Sequence, residues 1–226
     1  MIKWIYKIYH SAEVAGTKNP ASFNKRGERE DGMTMAEEIR QEEAFLMYVD
    51  YTFYQNGQDL KVTGEITRGS VKVGDIVDVI GYNKDHKKIA VTRIRKDKKD
   101  AEEAHSGEKV DLYFSGLKNG DIVSDQVIAT PDTVEASSSF HAVVTRYGTP
   151  GIPFRPIPAG TKAKFHFKDR SFSLNGTIRL PEGMSELDVG GRGEMLIELD
   201  SPAYIEEGAD FGFKSGIWDL GLGKVF

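Results

Sequence analysis

The densest chemistry in this chain is cationic. Lys84, Lys87, Lys88, Arg93, Arg95, Lys96, Lys98 and Lys99 fall within sixteen residues, against Asp85 and Asp97. Lysine and arginine at this density can contact phosphates, so the cluster is a candidate basic patch for nucleic acid. On a strand, Arg93 and Arg95 project to the same face, and positions 96–100 are expected to form a loop. The competing reading is a solvated β-hairpin kept soluble by edge lysines, since Asp100, Glu102 and Glu103 follow at once.

Other chemistries find little footing. The chain has no cysteine, which excludes disulfides, thiolate metal sites and a cysteine nucleophile. The histidines are His10, His86, His105, His141 and His166, and no two share a helical turn beside a carboxylate as zinc ligands of a protease would. Ser137-Ser138-Ser139 lacks the glycines of a nucleophile elbow. Gly223-Lys224 is followed by Val225 and the end of the chain, so it cannot open the helix that a phosphate loop needs. Gly190-Gly191-Arg192-Gly193 lies between strand-like runs and reads as a tight turn. No catalytic constellation, cofactor site or metal site is expected.

The elements that would position the cationic cluster are strands. The 226 residues suffice for two domains of about 100 residues each. A formal net charge of −5 with 29% charged residues describes an ordinary soluble chain. No stretch reaches the length of a membrane span and no secretory leader is evident, so a cytoplasmic protein is expected. Residues 1–43 turn from aromatic to polar and predict a partly disordered extension, with a capping box at Thr34 and Glu37 opening a short helix over 35–43. Residues 44–131 are short β-type runs cut by turns such as Asn56-Gly57, Arg68-Gly69 and Asn119-Gly120. The runs expected are 45–54, 60–67, 75–82, 89–95, 110–114 and 126–129. Residues 132–226 show period-two alternation at Phe140-Ala142-Val144, Ala163-Phe165-Phe167 and Met195-Ile197-Leu199, with Pro150, Pro153, Pro156 and Pro158 marking a loop or an edge. The expected fold is all-β: two consecutive antiparallel barrels, 44–131 and 132–226, after the N-terminal segment.

Several segments in order resemble the two β-barrel domains of translation elongation factor Tu. They are Phe45-Leu46-Met47, then Val62-Thr63-Gly64-Glu65-Ile66-Thr67-Arg68-Gly69 with Val71-Lys72-Val73-Gly74-Asp75, and Asp125-Gln126-Val127-Ile128-Ala129. In the last region they are Gly176-Thr177-Ile178-Arg179-Leu180-Pro181-Glu182-Gly183, Glu206-Glu207-Gly208 and Gly221-Leu222-Gly223-Lys224-Val225. The resemblance implies two six-stranded barrels without the GTPase domain that precedes them in the family, whose motifs do not occur here. GTP hydrolysis is therefore not expected.

The resemblance also implies a site. In the family the first of these barrels holds the 3′ adenosine and aminoacyl end of charged tRNA. The phenylalanine lining that pocket matches Phe53, but the family arginine is Gln58, a family glutamate is Arg95 and a family asparagine is Lys109. A pocket built on specific hydrogen bonds rejects its ligand when the partners change, so a remodelled pocket is expected. Three functions remain open at this point: a non-catalytic module binding tRNA or other RNA, a protein-interaction mimic that engages partners of elongation factor Tu, or half of a split factor that docks on a separate GTPase.

Overall fold

The computed structural model describes residues 44–55, 57–82, 86–147, 156–168, 170 and 172–226. The expected 35–43 helix, Lys84, Pro150 and Pro153 lie outside the described residues. Every regular element among the described residues is a strand, and no helix there is long and apolar enough to cross a membrane.

The first region holds β1 (Leu46–Tyr48), β2 (Tyr51–Phe53), β3 (Leu60–Arg68), β4 (Ser70–Lys72), β5 (Ile76–Ile80), β6 (His86–Ala90), β7 (Arg93–Lys96), β8 (Lys99–Ala101), β9 (Glu103–His105), β10 (Lys109–Phe114) and β11 (Val127–Ala129). Its main sheet runs β6-β5-β11-β1-β3-β10-β7-β8, with β2 added on β3, while β4 and β9 pair separately. The expected closed barrel is corrected here to a half-barrel sheet, because the ladder does not join β6 to β7. Those strands are consecutive in sequence, and the chain bends between them at Val91 and Thr92. Val91 exchanges backbone hydrogen bonds with Asp75 and Gly74 on one side, while the Thr92 amide donates to Tyr113 on the other. The single run expected over 89–95 is thus two strands serving opposite flanks of one sheet.

The run expected over 45–54 also divides. Asp50 N–H bonds Thr63 and Val49 N–H bonds Gln126, so the chain turns from β11 toward β3 at this point. Gly64 permits the turn: a Cβ there would stand 2.1 Å from the Tyr48 carbonyl oxygen. Residues 96–100, expected as a loop, form the tight β7–β8 hairpin. Asp97 and Lys98 both take left-handed backbone, φ 48° and 65°, the conformation whose twist suits a two-residue hairpin.

The second region holds β12 (Ser137–Arg146), β13 (Ile157–Pro158), β14 (Lys162–Phe167), β15 (Ser173–Arg179), β16 (Glu186–Leu187), β17 (Arg192–Ala203), β18 (Asp210–Ser215) and β19 (Trp218–Val225). Six of these close a barrel in the order β12-β17-β15-β14-β18-β19, and β13 pairs with β16. The alternation is realised as expected: Phe140, Ala142, Val144, Phe165, Phe167, Met195 and Ile197 face a core shared with Phe211 and Phe213. The Asp188–Gly191 turn, closed by a 2.9 Å backbone hydrogen bond, leads into β17 as the glycine run predicts.

Three apolar clusters result. One fills the half-barrel with Met47, Val62, Ile94, Leu112 and Ile128 among others, and a second fills the closed barrel. A third, with Leu46, Tyr48, Ile80, Val127 and Val134, lies on the other face of β1, β11 and β5 and packs against Tyr204 from the second region. β5 is therefore buried on both faces from Val77 to Ile80. Arg170 braces this junction: its guanidinium lies 4.7 Å from the Tyr48 ring and 4.6 Å from the Phe167 ring, and donates to the Tyr204 carbonyl at 2.8 Å. Arg68 to Glu206, at 3.1 Å, adds a cross-region ion pair.

Candidate functional site

The half-barrel buries one face of β2, β3, β10 and β7 and leaves the other open. Register decides what stands on the open face. Phe53 pairs with Lys61, Lys61 with Tyr113, and Tyr113 with Arg93, forming one row across four strands. The next row is Tyr51, Thr63, Asp111, Arg95 and then Asp100 on β8. A third begins at Glu65 and Lys109. Alternate residues Val62, Leu112 and Ile94 point into the core, as the pleat requires.

Two ring faces are open on this surface, Tyr51 at 49% exposure and Phe53 at 54%. The Lys61 ammonium lies between them, 5.5 Å from the Tyr51 ring and 5.9 Å from the Phe53 ring, and 3.5 Å from an Asp111 carboxylate oxygen. Thr63 donates its hydroxyl to the other oxygen of Asp111. Tyr113 is buried beneath Arg93, whose guanidinium stacks 3.8 Å above the ring. An arginine plane on an aromatic ring keeps its second face for another flat group.

Arg95 is held in place. Its Nη2 donates to the Lys98 carbonyl at 2.6 Å, and its Nε lies 3.2 Å from Asp100. A hydrogen bond with Tyr113, followed by the charges of Asp100 and Asp111, keeps its pKa above the ordinary arginine value. Lys109 donates to Asp50 at 2.8 Å, and that contact raises the lysine's pKa. Gln58 is exposed in the β2–β3 turn, its backbone N–H donating to the Gln55 backbone carbonyl. The same turn is tied to the β6–β7 bend by Thr92 donating to Asp59 at 2.8 Å.

The residues named from sequence therefore divide. Phe53, Arg95 and Lys109 share the open face, and Gln58 sits on its rim. Among the described side chains of the basic cluster, only Arg93 and Arg95 lie on this face. Lys96 has the opposite parity and bonds Glu108 at 2.9 and 3.2 Å, contacts that hold the Glu108 pKa below the usual carboxylate value. Lys98 and Lys99 are exposed at the hairpin tip. Lys88 lies on β6, where its amide donates to Asp78 and its ammonium stands 3.9 Å from Asp132. The Lys87 side chain lies outside the description. Run together in sequence, these cations are separated by the β6–β7 bend and interleaved with carboxylates.

Tyr51, Lys61 and Tyr113 were not singled out by sequence. The parity of Tyr51 with Phe53 was available as a signal; Lys61 and Tyr113 join them only through register. Elsewhere, His141 is exposed beside Phe226. His166 is half-buried with Nδ1 2.9 Å from the Ser173 hydroxyl, and burial, then Lys214, lowers its pKa. Among the described residues no three histidine or carboxylate side chains are grouped to hold a metal ion. What the open face offers is flat surfaces, cationic donors and two fixed arginines. No model of a known protein family matches the chain.

Proposed function

We propose that this chain is a non-catalytic binding module of the elongation factor Tu barrel type, and that the open face of β2, β3, β10 and β7 binds RNA through a remodelled version of the aminoacyl-tRNA pocket. The observation that carries the reading is the row of Phe53, Lys61 and Arg93-capped Tyr113, with Tyr51 beside it. Exposed rings and an arginine plane stack unpaired bases whatever their identity, and an ammonium between the rings suits the connecting phosphate. Arg95 and Lys109, where the family has an acid and an amide, present donors only and no acceptor, which disfavours the family's aminoacyl end and favours an anionic backbone.

The test is fluorescence anisotropy with short single-stranded RNA, deacylated tRNA and aminoacyl-tRNA, at increasing salt. Binding that weakens with salt is expected. Phe53→Ala should lower affinity about tenfold, since stacking of one base contributes roughly 1–3 kcal/mol. Absence of binding to all three RNAs sinks the reading.

A second reading is favoured by a different observation: Asp50, Asp100 and Asp111 sit against the cations of the face, and the formal net charge is −5. A polar, charge-balanced face with central aromatics also suits a protein surface. Under this reading the module engages a separate GTPase or a partner of elongation factor Tu, and such a protein co-elutes with it while RNA does not.

A further inference from the structure

The closed barrel has two ends, and they differ. One carries Arg170, Pro202, Tyr204 and Glu206 and meets the first region. The register of the six strands places the end of β12, the start of β14, the end of β15, the start of β17 and the β18–β19 turn together at the other. That far end carries Tyr147, Met184, Val189, Ile217 and Trp218 among the large apolar side chains exposed to solvent. Ile217 is the most open of them, at 87%, and Trp218 beside it is at 56%. They stand at a two-residue hairpin turn, where Ser215 pairs with Trp218 and Gly216 takes the left-handed backbone.

These side chains are surplus to the barrel core. Ile157 of β13 and Leu187 of β16 are buried in that core and already pack into it from the connecting segments of this end. Large apolar groups left in water outside a completed core mark an interaction surface. The charges around them identify the partner. Lys162, Lys164 and Lys214 stand together on β14 and β18, where Lys164 and Lys214 are direct cross-strand neighbours; Asp219 of β19 stands opposite Lys214 and leaves the sector net basic. Glu182, Glu186 and Asp188 stand on the adjoining β15–β17 connection and are exposed; of the arginines at its two ends, Arg179 is paired with Glu198, and Arg192 leaves the sector net acidic. A polyanion or an anionic lipid surface would be repelled by the acidic sector. A second copy of this chain, related by a two-fold axis, sets the basic sector of each copy on the acidic sector of the other, and closes the apolar tips between them.

We propose that the chain self-associates end to end through this face, with Trp218 and Ile217 as its anchors. The proposal is independent of what the first region binds. The experiment is sedimentation velocity of the full chain over a wide concentration range. A mass rising to twice the 25.1 kDa of one chain is expected. Trp218→Glu should weaken the dimer by roughly thirtyfold or more, as loss of a buried aromatic anchor does. Two charge variants test the symmetry: Lys162→Glu with Lys164→Glu, and Glu182→Lys with Glu186→Lys. Each alone should sediment as a monomer, and an equal mixture should regain the double mass, which misfolded variants would not do. A chain that stays monomeric throughout overturns the proposal. So does a dimer unaffected by Trp218→Glu, a dimer formed equally well by either charge variant alone, or a monomer that instead pellets with anionic phospholipid vesicles.

Discussion

Residues 132–226 close a barrel by backbone pairing all the way round, from β12 through β17, β15, β14 and β18 to β19. Residues 44–131 wrap their core with a ladder that stays open between β6 and β7. The cores differ in the same sense. The closed barrel packs Phe140, Phe165, Phe167, Phe211 and Phe213, with ring centroids 5.3 to 6.2 Å apart, largely edge to face or tilted. The half-barrel is filled mainly by valine, isoleucine and leucine. Rings of fixed shape need long, continuous strands to hold them at these distances. Smaller aliphatic groups tolerate a wall that bends at Val49–Asp50 and Val91–Thr92. Those bends in turn bring β2 and β7 to the two flanks of β3 and β10, which is what assembles the open face. Continuous pairing in one region and an interrupted ladder in the other thus give one closed wall and one sheet with an exposed face.

The largest expected effect tests that contrast directly. A Cβ at Gly223 would stand 2.3 Å from the Phe211 ring, so Gly223→Val should destabilise the chain by about 3 kcal/mol. Ile94→Val in the aliphatic core should cost only about 1 kcal/mol. Urea unfolding followed by circular dichroism reads both; equal costs would remove the distinction between a specified and a tolerant core.

A smaller effect probes what replaces ladder pairing in the first region. Asp78 is buried and accepts the Lys88 amide at 2.7 Å and the Asp132 amide at 3.3 Å. Both donors sit on left-handed residues, φ 60° and 61°. Asp78→Ala orphans those amides and should cost about 1–3 kcal/mol. Faster amide exchange is expected along β6, with the closed barrel unchanged; uniform loss of protection would mean the two regions unfold as one.

The smallest effect is on pH dependence, and it has opposite signs in the two regions. Burial raises the pKa of Asp125, against the pull of Arg170. The folded state then holds the proton more tightly, so this group's contribution falls as pH rises from the ordinary value of 3.8 through the folded pKa. Asp125→Asn, which suits the φ of 74° there, should raise Tm at neutral pH and change it little in acid. Burial lowers the pKa of His166 from 6.5, so its contribution is present above that value and lost as pH falls below it. His166→Gln should flatten that acid-side loss. Melting curves across pH check both, and a common sign would show that the two groups do not report separate environments.

Much of the fold was legible in the residues. Phe140-Ala142-Val144, Ala163-Phe165-Phe167 and Met195-Ile197-Leu199 alternate because one face of each strand enters a core and the other does not. The runs at 60–67 and 110–114 became β3 and β10. The short pairs β4–β9 and β7–β8 were not anticipated, since three- and four-residue strands carry too little alternation to register. Phe53 and Arg95, named from the resemblance, lie on one face of the sheet. The cationic cluster was less informative, because closeness along the chain does not survive the bend at Val91.

Composition and period two by themselves determined that the described regions are built of strands and which residues of a given strand lie on a common face, because side-chain parity is a local property of the extended backbone. Tertiary structure decided what each face meets. Asp78 and Ile80 share a side of β5 that is covered, whereas Tyr51 and Phe53 share a side of β2 that stays open. It also set Lys61 beside Tyr113 and Tyr113 beside Arg93. Those neighbours come from strands far apart in sequence, whose register follows from burying both inner faces while satisfying every backbone hydrogen bond, a condition on the whole sheet that no single strand contains.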